Sequence, residues 1–362
     1  MPLDGDPGPG IVGRQPNGST QPNGSTMRPF QFLILVILTV LGLGTRPDEA
    51  RAQELSCITV SIIVPSAVGS AGDLVGRAVA EAATKLGGTS FRVRNRPRDI
   101  ARRLLEDAAP NGCTLMLDSQ IQVAFEILDK GKTDWRDFKP VALLTRTPMA
   151  IALSTGGPPP AAPKGQEPEP PSFSGMLAQL RDKPESITFA LVEDPLEQML
   201  FLRMEEALGV RFRVRSYPTG LARYRELVSG PPGVAGFISL RAATARSKGK
   251  ELDVLAVSGA FAPGMLPGVP TLGAEAGGLT FGIDHGLFGP RDMPDDIVKS
   301  LVAIMRKVLE TRGVLSELHK EYGTETALVA GDGFARYLEN LSADWTEMLQ
   351  RQNNGKRLGQ KS

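Results

Sequence analysis

Ile58-Thr-Val-Ser-Ile-Ile-Val64 runs into Pro65-Ser-Ala-Val-Gly-Ser-Ala-Gly-Asp73, and that loop into Leu74-Val-Gly-Arg-Ala-Val-Ala-Glu81. An apolar, β-branched run, a Pro/Gly/Ser segment and a helical stretch read as strand, loop and helix. Glycines in such a loop leave bare backbone N–H groups at the positive end of the helix, which is a nest for an anion. This unit opens an α/β fold and points to capture of a small molecule rather than to catalysis.

Upstream, Phe30 to Gly44 is an apolar run behind Arg28, followed by Ala50-Arg51-Ala52 before Gln53. The run is short of the ~20 apolar residues wanted for a membrane span. A basic start, a short apolar core and a small-x-small site describe a cleavable export signal over 27–52, with cleavage near Ala52. An uncleaved anchor is the alternative. Before it, Gln15–Thr20 and Gln21–Thr26 repeat the same six residues, Gln-Pro-Asn-Gly-Ser-Thr. That tract cannot bury a core, so 1–26 reads as disordered, or as an extension ahead of a true start at Met27.

The remaining 53–362 is long enough for two α/β lobes. Residues 1–52 carry four basic and four acidic residues, which leaves 37 of the 41 Lys/Arg against 36 of the 40 Asp/Glu. That balance excludes nucleic acid or an anionic surface as the main partner. With His285 and His319 as the only histidines, no clustered metal-ligand motif exists and no cofactor is expected. Cys57 and Cys113 precede the expected first and third strands, parallel neighbours in a sheet ordered 2-1-3. An oxidising compartment then allows a disulfide, and two small buried thiols are the other reading.

Strands and helices alternate along the chain: strands at 91–95, 114–118, 141–145 and 149–153, then a Pro/Gly-rich loop over 155–172. A second unit follows with strands at 187–191, 212–215, 234–239 and 252–258, and helices at 173–183, 195–208, 220–228 and 241–247. Helices over 294–310 and 333–351 close the chain, their apolar stripes being core faces. Alternation predicts two lobes, each a doubly wound, mainly parallel sheet, with ligands at the carboxyl ends of the strands. The expected lobes are 53–150 with 276–362, and 151–275.

A series of landmarks then appears in a fixed order. Asn95-Arg96-Pro97, Ala109-Pro110-Asn111-Gly112, Asp137-Phe138-Lys139-Pro140-Val141-Ala142, Ile187-Thr188-Phe189-Ala190 and Leu255-Ala256-Val257-Ser258 are followed by Leu266-Pro267-Gly268-Val269-Pro270-Thr271 and Gly286-Leu287-Phe288-Gly289-Pro290. Over nearly all of 55–350 the chain resembles the Bug family, the substrate-binding receptors of tripartite tricarboxylate transporters. The resemblance implies a two-lobed, type II-like periplasmic binding protein, non-catalytic, that captures an organic acid and hands it to membrane permease subunits. It also implies that the first loop holds the ligand carboxylate through Ser66, Ala67, Val68, Gly69, Ser70 and Asp73, with further contacts from the second lobe.

Departures from the family pattern fall at those positions. Ser66, Ser70 and Gly72 replace Phe, Gly and Thr; Glu193-Asp194 replaces a Gly/Ser-rich turn; Ser239 replaces Asp; and His285 replaces an aromatic. Acidic groups at 193–194 would repel a carboxylate. Glu193 would then point away, pair with Arg241 or Arg215, or meet a cationic or amide-bearing ligand. Asp194 before Pro195 also reads as a helix N-cap, as does Asp73 for its own helix. Ser119 and Gln120 are cleft or turn residues. Tyr217 and Gly220 line the cleft or simply pack, and His285 touches the ligand, senses pH or is structural. Two rivals remain: a drifted-pocket receptor that signals to a membrane sensor kinase, and an exported oxidoreductase. The second rests on Gly69, Gly72 and Gly76 and fails the dinucleotide fingerprint.

Overall fold

A computed structural model describes residues 55–128, 133–157, 171–261 and 264–354. The expected extension 1–26, the export signal 27–52 and most of the Pro-rich stretch lie outside the described residues. Eleven strands among the described residues form two sheets. They are β1 (Thr59–Val64), β2 (Ser90–Asn95), β3 (Thr114–Ser119), β4 (Phe138–Thr147), β5 (Met149–Ser154), β6 (Thr188–Val192), β7 (Arg213–Tyr217), β8 (Val234–Ser239), β9 (Leu252–Val257), β10 (Ile283–Pro290) and β11 (Glu325–Ala330). The first sheet is ordered β11-β4-β10-β3-β1-β2 and the second β7-β6-β8-β5-β9.

In the first sheet β1 lies parallel to β2 and β3, while β10 runs antiparallel between β3 and β4, and β11 antiparallel to β4. Four of its six strands therefore point one way. In the second, only β5 opposes the rest. The first three strands take the expected 2-1-3 order. β10 and β11 are strands that the sequence pattern hides: Gly286 and Gly289 leave gaps in the alternation, and β11 is a half-exposed edge with an irregular register between Thr326 and Val329.

The helices are α1 (Ala71–Lys85), α2 (Arg98–Glu106), α3 (Ile121–Leu128), α4 (Phe173–Asp182), α5 (Pro195–Leu208), α6 (Gly220–Ser229), α7 (Leu240–Lys248), α8 (Leu272–Glu275), α9 (Asp295–Glu310), α10 (Ser316–Tyr322) and α11 (Asp332–Asn354). Alternation along β1 explains the layering. Val60, Ile62 and Val64 pack with Val75 and Val79 of α1 and Leu301 and Met305 of α9, whereas Ile63 faces Ala101, Leu105 and Phe334 of α2 and α11. Helices thus cover both faces. In the second sheet Phe189 gathers Phe201, Phe212 and Phe237 at centroid distances of 4.8, 5.2 and 4.9 Å. Leu227 of α6 and Leu240 and Ala243 of α7 pack on its other face.

The chain crosses between sheets twice, at Pro148 and through 258–282. Ser258, fully buried, fastens the crossings together. Its N–H donates to Met149 O at 2.8 Å, its hydroxyl accepts from Met149 N at 2.9 Å and donates to Phe281 O at 2.7 Å. The final helix also reaches both bodies: α11 packs on β4 and β11, while Arg351 meets Glu206 at 2.8 Å and Gln352 meets Leu202 O at 3.5 Å, both on α5. Cys57 and Cys113 form a disulfide with Cα atoms 5.6 Å apart, as the neighbouring strands require.

Candidate ligand site

The β1–α1 loop is built by its own short side chains. Ser70, not Asp73, is the N-cap of α1: its hydroxyl accepts from Asp73 N at 3.3 Å. Asp73 sits in the first turn, where its carboxylate reaches back to Gly69 N at 2.8 Å. The expectation that Asp73 caps the helix is thereby corrected, because the chain enters α1 three residues earlier. Gly69 adopts φ +81°, a left-handed conformation that suits glycine at this bend.

Asp73 is buried and spends its oxygens inside the protein. Arg77 holds it at 2.9 Å, and Asn95 Nδ2 donates to it at 2.9 Å and to Ser66 O at 3.0 Å. Burial pushes the Asp73 carboxyl up, but the hydrogen bonds from Arg77, Gly69 and Asn95 outweigh it and hold the group below its ordinary value. Asn95 of the Asn-Arg-Pro motif therefore fixes the loop. Parallel register puts it there, since Val64 and Asn95 are cross-strand partners.

The departures from the family pattern converge. Ser66 and Ser70 hydroxyls lie 2.7 Å apart. A Cβ placed on Gly72 would sit 3.2 Å from Ser66 Oγ and 3.5 Å from the Cδ2 and Nε2 atoms of His285. His285 is 4 % exposed, in cross-strand register with Ser119 and Thr145. Burial lowers its pKa from 6.5 to about 4, opposed in part by the charges of Asp284 and Asp118. At neutral pH it is uncharged, with one ring nitrogen a donor and the other an acceptor. Its Nδ1 is buried with no hydrogen-bond partner among the described residues. Ala67, Val68 and Gly69 are exposed.

Other anticipated residues have structural work. Ser119 Oγ accepts from Ile121 N at 3.3 Å, a turn bond. Gln120 is buried, with Nε2 donating to Gly282 O at 2.6 Å and Oε1 accepting from Asp284 N at 2.7 Å, so both ends of its amide are taken by the return strand. Asp194 caps α5, accepting from Glu197 N at 3.0 Å. Ser239 caps α7. Gly220 opens α6 behind Thr219, and Tyr217 is the half-buried last residue of β7. Glu193 is exposed and its N–H donates to Tyr217 O at 2.8 Å. It pairs with neither anticipated arginine, because Arg241 is held by Glu321 and Arg215 by Glu226.

Two networks escaped the sequence reading. Glu197 and Arg223 form an ion pair beneath the turn at 193–194, where burial raises the Glu197 carboxyl pKa. Asp284, buried on β10, is clamped by Arg146 through two bonds of 2.6 Å and accepts a hydrogen bond from the Tyr337 hydroxyl. Partners 138 residues apart give no local signal. Among the described residues no group of three or more His, Cys, Asp or Glu is placed to hold a metal ion.

Comparison with known proteins decides the family. The profile described as "Tripartite tricarboxylate transporter family receptor" matches residues 75–354. The chain belongs to this family. A UPF0065 protein from Agrobacterium vitis, encoded in the TAR-I ttuE–ttuC′ intergenic region, is 26 % identical over 287 residues, which is 76 % of this chain and 78 % of that one. The fold is shared with solved tricarboxylate-transporter receptors. A TctC solute-binding protein from Polaromonas gives a TM-score of 0.63 at 20 % identity, over 81 % of this chain and 98 % of that one. MatC from Rhodopseudomonas palustris, solved with bound malate, gives 0.61 at 21 % identity over 80 % and 98 %. A second R. palustris protein, solved with adipate, gives 0.63 at 20 % over 81 % and 96 %. Members of the family are periplasmic solute receptors.

Proposed function

We propose that this receptor captures a small carboxylate between its two sheets, without catalysing a reaction, and delivers it to membrane permease subunits. The bodies that close on the ligand are 53–150 with 276–362, and 151–275, hinged where Ser258 ties the two crossings. One observation carries the reading: the loop from Ser66 to Gly72 opens onto the first turn of α1. There the N–H groups of Ala71 and Gly72 have no acceptor within the helix, while Ser70 caps that of Asp73. Asp73 adds little repulsion, since Arg77 and Asn95 neutralise and hold it. Glu193 is an exposed acidic group just after β6; were it to face the cleft, a ligand bearing an amide or ammonium would be the second chemistry to test.

The protein purified from a periplasmic extract serves both parts of the proposal. Sequencing of its N-terminus is expected to give Gln53; an N-terminus at or before Met27 would refute export by cleavage. Thermal unfolding is then followed with malate, adipate, succinate, citrate, amino acids and amides. A ligand at a hundredfold excess over Kd stabilises the native state by about 2.7 kcal/mol. Stabilisation by carboxylates supports the proposal. Stabilisation by amides or amines alone shifts it to the Glu193 chemistry. None at all, with co-purified ligand excluded by mass spectrometry, leaves the drifted receptor that signals to a sensor kinase.

A further inference from the structure

β2 closes one edge of the first sheet, and its two faces differ in kind. Phe91 and Val93 pack with Val60 and Ile62, their cross-strand partners, and with Val75 and Val79 of α1. On the other face, Arg92 is the partner of Ser61 and Arg94 that of Ile63, and Arg96 continues the row. All three arginines are exposed, at intervals of about 7 Å along the strand. α2 lies over β3 and β10, so this face of β2 is left to them.

The protein itself does not answer these charges. Among the described residues Arg92, Arg94 and Arg96 enter no ion pair; Arg96 donates only to the neighbouring Asn95 O, at 2.8 Å. The acids of α1 and α2 are already held: Asp73 by Arg77 at 2.9 Å, Glu81 by Lys85 at 2.6 Å, Asp99 by Arg103 at 3.2 Å and Glu106 by Arg102 at 3.6 Å. The outer backbone is open as well. Ser90 N donates to Ile58 O at 3.0 Å and Arg96 N to Val64 O at 3.1 Å, so the even-numbered residues turn to β1 and Phe91, Val93 and Asn95 turn outward. Thr84 Oγ1 accepts from Phe91 N at 2.8 Å. The N–H and carbonyl of Val93 and the N–H of Asn95 are left for a neighbour, between the arginines.

An open edge invites another strand, and the charges decide which one. A second copy of β2 would set arginine against arginine. A segment with Asp or Glu at every second residue sets carboxylates beside the guanidinium groups while its backbone bonds to Val93 and Asn95. We propose that β2 is a docking edge for an extended, acidic segment of a partner protein, which adds a strand to the first sheet. Because the Asn95 side chain holds Ser66 O and Asp73, the partner would bind against the strand that fixes the β1–α1 loop. The proposal does not depend on which ligand the receptor carries.

The test follows the fluorescence anisotropy of a labelled Glu-Val-Glu-Val-Glu peptide titrated at low salt with the protein purified from a periplasmic extract. Saturable binding is expected, and the same residues rearranged as Glu-Glu-Glu-Val-Val are expected to bind at least about fivefold more weakly. Combining Arg92→Gln, Arg94→Gln and Arg96→Gln, all on the surface, is expected to weaken binding at least about tenfold. Val93→Pro removes an outward N–H while leaving the charges and the bonds to β1, and is expected to weaken it at least about threefold. Where Val93→Pro fails to fold, the arginine variant and the pair of peptides still decide. No binding by the wild type, or unchanged binding in the arginine variant, would overturn the proposal. Equal binding of the two peptides would reveal charge attraction without strand pairing and overturn it too. Retention of the protein on phosphatidylglycerol vesicles, with no affinity for the peptide, would make the face a lipid contact and overturn it likewise.

Discussion

His285 makes the stability of this receptor depend on pH in a window that few other groups occupy. Its folded pKa of about 4 lies below the ordinary 6.5 because burial penalises the imidazolium. The sign follows by linkage: the unfolded chain binds the proton more tightly, so His285 costs nothing above pH 6.5 and destabilises progressively as pH falls from there towards 4. With those two values, lowering the pH from 7.5 to 5 removes about 2 kcal/mol of folding stability. Urea unfolding of the wild type and His285→Phe at both pH values isolates the effect. Other titrating groups, Glu197 and Asp253 among them, are common to both proteins and cancel in the difference. The wild type is expected to lose about 2 kcal/mol more than the variant over this interval. Equal losses would show that the ring protonates without unfolding cost, and would refute its burial as the cause.

Reduction of Cys57–Cys113, which closes a loop across a sequence separation of 56, is expected to cost about 4 kcal/mol by loop entropy, read as a lower urea midpoint in dithiothreitol. Asp284→Ala strands the Arg146 guanidinium and the Tyr337 hydroxyl and is expected to destabilise by about 3–5 kcal/mol, far more than the exposed Glu81→Ala control. Gly286→Ala drives a methyl into the Phe334 ring, and calorimetric melting is expected to show a loss of about 1–3 kcal/mol. Glu193→Gln leaves stability within about 0.5 kcal/mol and strengthens binding of a dianionic ligand at low salt; unchanged affinity there would take Glu193 out of the cleft.

The regular elements were legible because period governs them. The helix over 195–208 and the strand over 234–239 have the predicted bounds, and 2-1-3 order brought the cysteines together. β10 contains the Gly286–Pro290 motif, but its two glycines erase the alternation that marks a strand. For the site, residue types were readable but allegiances were not. Asp194 was correctly read as a cap because Pro195 follows it. Asp73 was assigned a cap that belongs to Ser70, because its strongest partners, Asn95 and Arg77, arrive through the β1–β2 register and the helix turn. Gln120 looked like a cleft residue at a strand end, yet its partners lie 162 and 164 residues away on the returning chain. The convergence of Ser66, Gly72 and His285 needs both the loop and the return strand, so no local window contains it.

The last helix spends most of its length on the first sheet but fastens its end, through Arg351 and Gln352, to α5 of the second. A label on the exposed Gln350 therefore rides on one body while standing beside the other. Paired with a second dye on the surface near Arg181, which lines the same recess as Arg351, it forms a short optical ruler across the divide. Trimming the chain at residue 350 keeps Trp345 and Met348 in the core while releasing both clasps. The terminus is thus a place where the separation of the two bodies can be read, or loosened, without touching the residues proposed to hold the ligand.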